Sequence, residues 1–197
     1  MRFVVAILAG VLVAALTAWG LHSLMSAGDG KAGFPFALWS APLFLGAVTA
    51  YVMANLAGNR RVAGASAEAR TGALSFAATP DKARLYVSRE GFIGMAAGLN
   101  ITLDGAPLSQ LKAPRFLSTE VEPGRHLLGA GFGGLAASQN RPAELLLEAQ
   151  AGEVVVVAVG LSMGALKNTI VMQQVPLDDA VRRKLSRMKM VGVEEGG

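Results

Sequence analysis

The chain has 197 residues, of which 52% are hydrophobic and 16% charged, a composition that excludes a disordered protein and supplies both a membrane segment and a core. A formal net charge of +4 and an aromatic content of 6% argue against a nucleic-acid surface of interleaved basic and stacking side chains. The absence of cysteine excludes disulfides, thiolate metal sites, a cysteine nucleophile and a lipid-modified N-terminal cysteine.

Two long apolar runs at the start of the chain predict a pair of membrane-spanning helices within residues 1–58. The runs cover about residues 3–25 and 34–58, and each can cross a hydrocarbon core of about 30 Å. A cleaved signal peptide is the alternative for the first run, but the run is too long and no cleavage pattern follows, so we interpret it as a retained helix. A connection of about eight residues makes the two helices antiparallel neighbours in a transmembrane α-helical hairpin.

Small residues recur four positions apart in each predicted helix. In lipid, such stripes allow helix backbones to approach closely, because apolar burial does not drive association there. A chance stripe is the competing interpretation, since alanine and glycine are abundant throughout the chain. The predicted helix-packing residues are Ala6, Gly10, Ala14 and Ala18 in the first helix and Gly46, Ala50, Ala54 and Gly58 in the second.

Basic residues flank the outer ends of the two runs. Arg2 precedes the first run, and Arg60 and Arg61 follow the second, whereas the connection offers only Lys31 beside Asp29. The positive-inside rule then places both termini in the cytoplasm. We therefore predict a multi-pass protein of the bacterial inner membrane.

Residues 59–79 are rich in alanine, glycine and small polar residues, which predicts a juxtamembrane linker. After Pro80 the pattern changes to short apolar or alternating runs, which predicts an all-β sandwich of about seven strands over residues 80–176. The run 154–161 is too short to cross a membrane and predicts a central strand buried on both faces. The predicted strands are 83–88, 99–103, 116–121, 126–132, 143–149, 153–160 and 168–175.

Turn residues separate these strands. The predicted structural turns contain Asp104 with Gly105, Pro123 with Gly124, and Gly152. Proline followed by glycine suits type II geometry, because glycine accepts a positive φ at the third turn position.

Gly129, Gly131 and Gly134 have the G-x-G-x-x-G spacing of a dinucleotide-binding loop. That function requires a strand before the glycines and a helix after them, within a βαβ unit. Only seven residues, LAASQNR, separate Gly134 from Pro142, and another strand-like run follows directly. The pattern favours a glycine-rich β-hairpin over a nucleotide site.

The segment 177–197 predicts a short basic amphipathic helix. Apolar residues recur on one helical face from Leu177 to Met188, and Asp178 and Asp179 complement the dipole at the helix start. Such a helix can lie on an anionic leaflet or dock by its apolar side against the sandwich, and the sequence leaves both open. The basic residues assigned to lipid contact here are Arg182, Arg183, Lys184, Arg187 and Lys189.

The residue pattern does not predict catalysis. His22 lies in or at the end of a membrane run and His126 directly follows a turn, so the two histidines do not form a joint site. Carboxylates fall at turns or alternate along strands, and no serine has a G-x-S-x-G context. We therefore predict no enzyme, no cofactor and no metal site.

The strings KARLYVSRE, LNITLDGAPLSQLKAPRFLSTEVEPGRHLL, AELLLEAQAGEVVVVAV and MQQV together resemble the DUF2846 family of bacterial β-sandwich domains, which is similar to PEGA-like and transthyretin-like modules. The resemblance covers about residues 82–175 and implies a fold, but it brings no activity or catalytic residue. The chain departs from the family in its insert GFIGMAAG and at Val154 and Val155, where an aromatic pair is common. The matching positions are Arg84, Tyr86, Asp104, Gly105, Val121, Pro123, Gly124, His126, Ala151 and Gly152.

These features predict a non-catalytic, membrane-anchored sandwich that acts as an accessory or scaffold subunit of a larger membrane assembly. Its expected partners are the lipid bilayer and a membrane protein or further copies of itself, and not nucleic acid. The alternative is a membrane-tethered ligand-binding or sensory module whose glycine-rich loops bind a peptide, a glycan or a lipid headgroup.

Overall fold

A computed structural model of the chain describes residues 2–26 and 35–194, without the side chains of residues 35–39. The chain divides into two units, Met1–Ala57 and Gly58–Gly197. The predicted connection between the first two helices, with Asp29 and Lys31, lies outside the described residues.

The first unit contains helices α1 (Arg2–Ser26) and α2 (Pro35–Leu56). The Arg2 guanidinium donates to the carbonyl oxygen of Ala57 at 2.8 Å, while Gly10 lies against Gly46 and Ala50, so the two helices are antiparallel. A methyl group added at Gly10 would lie 2.6 Å from the carbonyl oxygen of Gly46. The two backbones therefore approach as closely as glycine permits.

Within the described residues, α1 alone is long and apolar enough to cross a membrane. α2 contributes the shorter apolar stretch Ser40–Leu56. The predicted second helix, residues 34–58, extends too far at its C-terminal end, because α2 ends at Leu56. Gly58 belongs to the second unit, so its predicted place on the helix-packing face is wrong.

The described part of the second unit forms two β-sheets. The six-stranded sheet has the order β10-β4-β1-β8-β9-β6, and the four-stranded sheet has the order β3-β2-β5-β7. The strands are β1 (Ala83–Arg89), β2 (Leu99–Leu103), β3 (Ala106–Leu111), β4 (Arg115–Val121), β5 (Gly124–Phe132), β6 (Asn140–Arg141), β7 (Ala143–Ala149), β8 (Val154–Ser162), β9 (Asn168–Val175) and β10 (Lys189–Met190).

All seven predicted strands are present, and no end differs from its predicted position by more than two residues. Three further strands were missed. β3 begins with Ala106 and Pro107 and continues with polar Ser109 and Gln110, so it lacks an apolar run, yet it pairs with β2 across the Asp104-Gly105 turn. β6 and β10 have two residues each, and only their neighbours in the sheet define them as strands.

The apolar core lies between the two sheets. Leu85 and Val87 of β1 and Val155 and Val157 of β8 face Leu128 and other side chains of the four-stranded sheet. β8 pairs with β1 on one side and β9 on the other, and its Val156 faces a second cluster on the opposite side of the sheet. The predicted central strand, buried on both faces, is confirmed.

Two helices cover the outer face of the six-stranded sheet: α3 (Ala67–Leu74) and α5 (Asp179–Arg187). Ala73 of α3 and Leu185 of α5 pack with Tyr86, Phe116 and Val156 of the sheet. The predicted linker is thus largely part of the folded unit. Ala73, one of the alanines that indicated a linker, is the buried contact of α3, with Leu74 packed beside it.

Helix α5 confirms the predicted amphipathic helix. The Asp178 carboxylate caps it by accepting from the Val181 amide at 2.8 Å. Leu185 is 1% exposed and Met188 6% exposed against the sheet. The apolar side is occupied by protein, so the alternative of a helix lying with that side on the bilayer is wrong.

The glycine motif does not form a dinucleotide loop. Gly129 and Gly131 lie within β5, and Gly134 precedes the five-residue helix α4 (Leu135–Gln139). β5 pairs antiparallel with β7, so the parallel strands of a βαβ unit are missing. Gly129 faces Thr102 across the sheet, where the Thr102 hydroxyl leaves no room for a β-carbon.

Candidate functional site

The two ends of the sandwich differ in their loops and charges. The junction end is where β1, β3, β5 and β8 finish and where Gly58 begins the unit. The distal end is the opposite one, with the Asp104-Gly105 and Pro123-Gly124 turns. Sheet register aligns Leu111 and Phe132 with Leu99 in one sheet, and Arg115 with Arg89 in the other, at the junction end.

Arg89 holds the junction end together. Its side chain is buried, with the residue only 1% exposed. It donates to the carbonyl oxygens of Leu111 at 2.7 Å, Gly94 at 2.7 Å and Ala97, and it lies over the Phe132 ring at 5.1 Å. Burial lowers the pKa of the Arg89 guanidinium to about 10, so it remains charged at neutral pH. This cation links both sheets and the loop after β1.

The glycine-rich segment 90–98 is the loop that Arg89 organises. Asn59, next to the first residue of the unit, accepts from the Gly98 amide at 2.6 Å and donates to the Ala96 carbonyl at 2.9 Å. The Ala113 amide donates to the Met95 carbonyl at 3.2 Å. The loop is therefore fixed beside the point where the chain enters the unit.

Large apolar side chains project from the loops of this end. Phe92 is 85% exposed, and Met163 and Leu166 in the loop after β8 are 74% and 95% exposed. The two loops are neighbours, because Gly94 lies against the Leu161 side chain. These exposed apolar side chains make this end a candidate contact surface.

A basic groove of about 550 Å³ lies next to the 90–98 loop. It is lined by Arg60, Arg61, Lys112 and Arg115 together with Val62, Ala63 and Gln110. Arg60 forms an ion pair with Glu194 at 3.0 Å, whereas Arg61, Lys112 and Arg115 have no ion pair within the described part of the chain. Lys189 is the register partner of Arg115, which extends the positive surface.

Gln110 positions residues 58–61, the entry segment of the second unit, against the sheet at the base of this groove. The residue is 2% exposed, and its side-chain oxygen accepts from the Arg60 amide at 2.7 Å. Its side-chain nitrogen donates to the carbonyl of Gly58 at 3.0 Å and to Asn100 at 2.8 Å. Arg60 and Arg61 are thus held beside β3 by a buried amide.

Gly58 makes a close contact at the same place. A methyl group added to it would lie 2.5 Å from the carbonyl carbon and oxygen of Gly133. The glycine-rich loop after β5 therefore packs on the entry segment, and the lack of space explains the glycine at position 58.

The distal end carries carboxylates and a titratable pair. His126 Nδ1 lies 2.7 Å from Asp104 Oδ2, and its Nε2 lies 2.7 Å from the Glu122 carbonyl oxygen. The Asp104 side chain raises the pKa of His126, and the hydrogen bond from His126 lowers the pKa of Asp104. Asp104 also accepts from the Leu127 amide at 2.8 Å, so the pair fixes a turn at φ +52°.

Ion pairs continue along this end. Glu120 pairs with Arg84 at 2.9 Å and Glu122 with Lys82 at 3.2 Å. The predicted turn residues Gly105, Gly124 and Gly152 all adopt positive φ here, which favours glycine. The arrangement stabilises turns and leaves the carboxylates exposed or paired.

The structure separates the basic residues that the sequence assigned to lipid contact. Lys184 of α5 pairs with Glu90 at 2.7 Å, and the Arg182 guanidinium lies over the Phe76 ring at 5.1 Å. Arg183 and Arg187 are exposed on α5. Arg60 and Arg61 line one groove with Lys112 and Arg115, and Lys189 is the register partner of Arg115. Lys112 and Arg115 were not predicted as site residues, because each is a single basic residue at or beside the end of a strand and no local pattern marks it.

No group of three or more histidine or acidic side chains in the described chain could hold a metal ion. A scan against protein-family models found no match, and a search of curated proteins found none either. The resemblance to the DUF2846 family and the sequence-based function remain predictions.

Proposed function

We propose that the chain is a multi-pass protein of a bacterial inner membrane, whose two apolar helices anchor a non-catalytic β sandwich at the cytoplasmic face. There the sandwich serves as an accessory or scaffold subunit of a larger membrane assembly, with a membrane protein or further copies of the chain as partner.

The observation that carries this proposal is the outward surface of the first unit. Leu8, Val11 and Leu12 of α1 are each about 60% exposed, and Leu43 and Phe44 of α2 about two-thirds exposed. Surfaces of this kind are stable only against lipid tails or another apolar helix. The small residues between the helices leave the larger side chains outside, available to a partner.

The chemistry of the sandwich supports a non-catalytic role. Arg89 binds backbone carbonyls, and the Asp104–His126 pair fixes a turn, so these titratable groups have structural partners. Neither group lines the basic groove. Arg60 and Arg61 at the entry of the second unit, together with Arg2, favour a cytoplasmic location of both termini.

Photo-crosslinking in intact membranes tests the subunit function. A benzoylphenylalanine residue replacing exposed Leu12 is expected to crosslink one partner of defined mass, which also copurifies in stoichiometric amount from mild detergent. The same residue replacing exposed Leu146, on the outer face of the four-stranded sheet, is the control. A lone monodisperse chain without a crosslinked partner contradicts the proposal.

The exposed loop residues Phe92, Met163 and Leu166 favour a second candidate, a tethered ligand-binding or sensory module. In that case the purified lone chain binds a small ligand, and serine at these three positions abolishes binding. Reporter fusions at Gly197 test the topology for both candidates, and an exported reporter contradicts the cytoplasmic location.

A further inference from the structure

Four cationic side chains converge in the groove formed by Arg60, Arg61, Lys112 and Arg115. Glu194 pairs with one of them, and the other three have no anionic partner within the described chain. Like charges held in one groove repel one another, so an anion that binds there relieves an unfavourable interaction. The volume of about 550 Å³ is in the range of small-molecule sites.

The combination of residues suits a phosphate group. Arginine offers a planar set of donors that matches phosphate oxygens, and lysine adds a compact positive charge. Lys112 and Arg115 are half-buried and lie on either side of the short connection from β3 to β4, so their positions are fixed by the sheet. Arg61 is exposed and can close over a bound anion.

The surroundings of the groove indicate where such a phosphate comes from. The entry segment that carries Arg60 and Arg61 follows the apolar first unit directly in the chain. The adjoining 90–98 loop exposes Phe92 and Met95 and is bonded to Asn59 and Ala113. Basic residues beside exposed apolar ones match the boundary between lipid headgroups and acyl chains.

We infer that this groove binds the phosphate of an anionic phospholipid headgroup in the leaflet next to the entry segment, with Phe92 at the edge of the apolar region. The inference rests on the proposed membrane anchorage and adds a specific ligand to it. Binding there sets the height of the junction end at the bilayer surface.

Native mass spectrometry of the full chain in a neutral detergent tests the inference. Phosphatidylglycerol and phosphatidylcholine are added in equal amounts, and wild type is expected to retain phosphatidylglycerol preferentially. The double variant Lys112→Gln with Arg115→Gln should bind phosphatidylglycerol about 30-fold more weakly, and Arg61→Gln about fivefold more weakly. Arg61 is exposed, so its variant keeps the test valid if the double variant misfolds.

The matched control is Lys82→Gln with Arg125→Gln, which removes one lysine and one arginine at the distal end. This control should retain phosphatidylglycerol as wild type does. Equal retention by all variants, or no preference in wild type, overturns the inference. Displacement of the lipid by inorganic phosphate at the same concentration also overturns it, since the ligand is then free phosphate.

Carbonate extraction of membranes separates this inference from the proposed function. If wild type stays in the membrane without a preference for phosphatidylglycerol, the headgroup site is wrong and the anchorage stands. If carbonate releases wild type, the anchorage itself is wrong.

Discussion

The two ends of the sandwich hold their loops with different electrostatic interactions. At the junction end, a buried and permanently charged Arg89 binds neutral carbonyls. At the distal end, His126, whose side chain is only 15% exposed, binds the half-exposed carboxylate of Asp104, whose own charge depends on pH. Burying a cation without a counter-ion costs free energy unless each of its donors has an acceptor. An ion pair that is open to solvent contributes less, because water can take over its hydrogen bonds. The junction end is therefore the more vulnerable to substitution.

Arg89→Met should have the largest effect. Methionine retains much of the side-chain length but leaves the carbonyls of Leu111, Gly94 and Ala97 without their donor. We expect the free energy of unfolding to fall by about 2–4 kcal/mol, measured by urea unfolding of the full chain in detergent with circular dichroism. Hydrogen–deuterium exchange in residues 90–98 should accelerate as well.

The exposed Arg183→Met on α5 is the control, with an expected change within about 0.5 kcal/mol. Equal stability of the two variants would mean that Arg89 does not organise the junction end.

Gly58→Ala should have the next effect. Its new methyl group would overlap the Gly133 backbone at 2.5 Å, and such overpacking costs about 1–3 kcal/mol. Gly160→Ala is the matched control, since a methyl group there meets no atom within 4 Å and should change the free energy of unfolding little. The same unfolding measurement compares the two. If Gly160→Ala destabilises as much, packing at the entry segment is not the reason.

Asp104→Ala should destabilise the distal end. It removes the acceptor for His126 and for the Leu127 amide, and it places alanine at a φ of +52°. We expect a loss of about 1–2 kcal/mol, less than for Arg89→Met. Asp81→Ala, on the same end and exposed, should be close to neutral. A larger loss than at Arg89 would reverse the ranking of the ends.

The pH profile should show the smallest effect. The raised pKa of His126 adds stability that is complete below its ordinary value of 6.5 and is lost as pH rises through the raised pKa. The lowered pKa of Asp104 adds stability that is complete above 3.8 and is lost as pH falls through the lowered pKa. The pair therefore contributes most to stability between pH 3.8 and pH 6.5.

Urea midpoints measured from acidic to alkaline pH for wild type and His126→Gln test the profile. The difference between the two proteins should shrink at alkaline pH. A difference that does not vary with pH would show that the ion pair does not contribute.

Local patterns in the sequence determined much of the fold. Alternating and continuous apolar runs identified seven strands. A strand buried on one face has apolar residues at alternate positions, and a strand buried on both faces has a continuous apolar run. Turn chemistry identified Gly105, Gly124 and Gly152, which all need a positive φ. The apolar α1 and the amphipathic α5 were evident for the same reason.

Tertiary structure alone decided the rest, because the groups concerned are distant in sequence. Strand register brings Lys112 and Arg115 next to the entry segment, where they line one groove. No pattern among neighbouring residues in the sequence predicts that these groups lie close together. Gly58 fits a helix stripe by spacing, yet its space is limited by Gly133 of a remote loop. Arg89 directly follows the predicted strand 83–88, and only the packing of the two sheets around it makes it a buried cation.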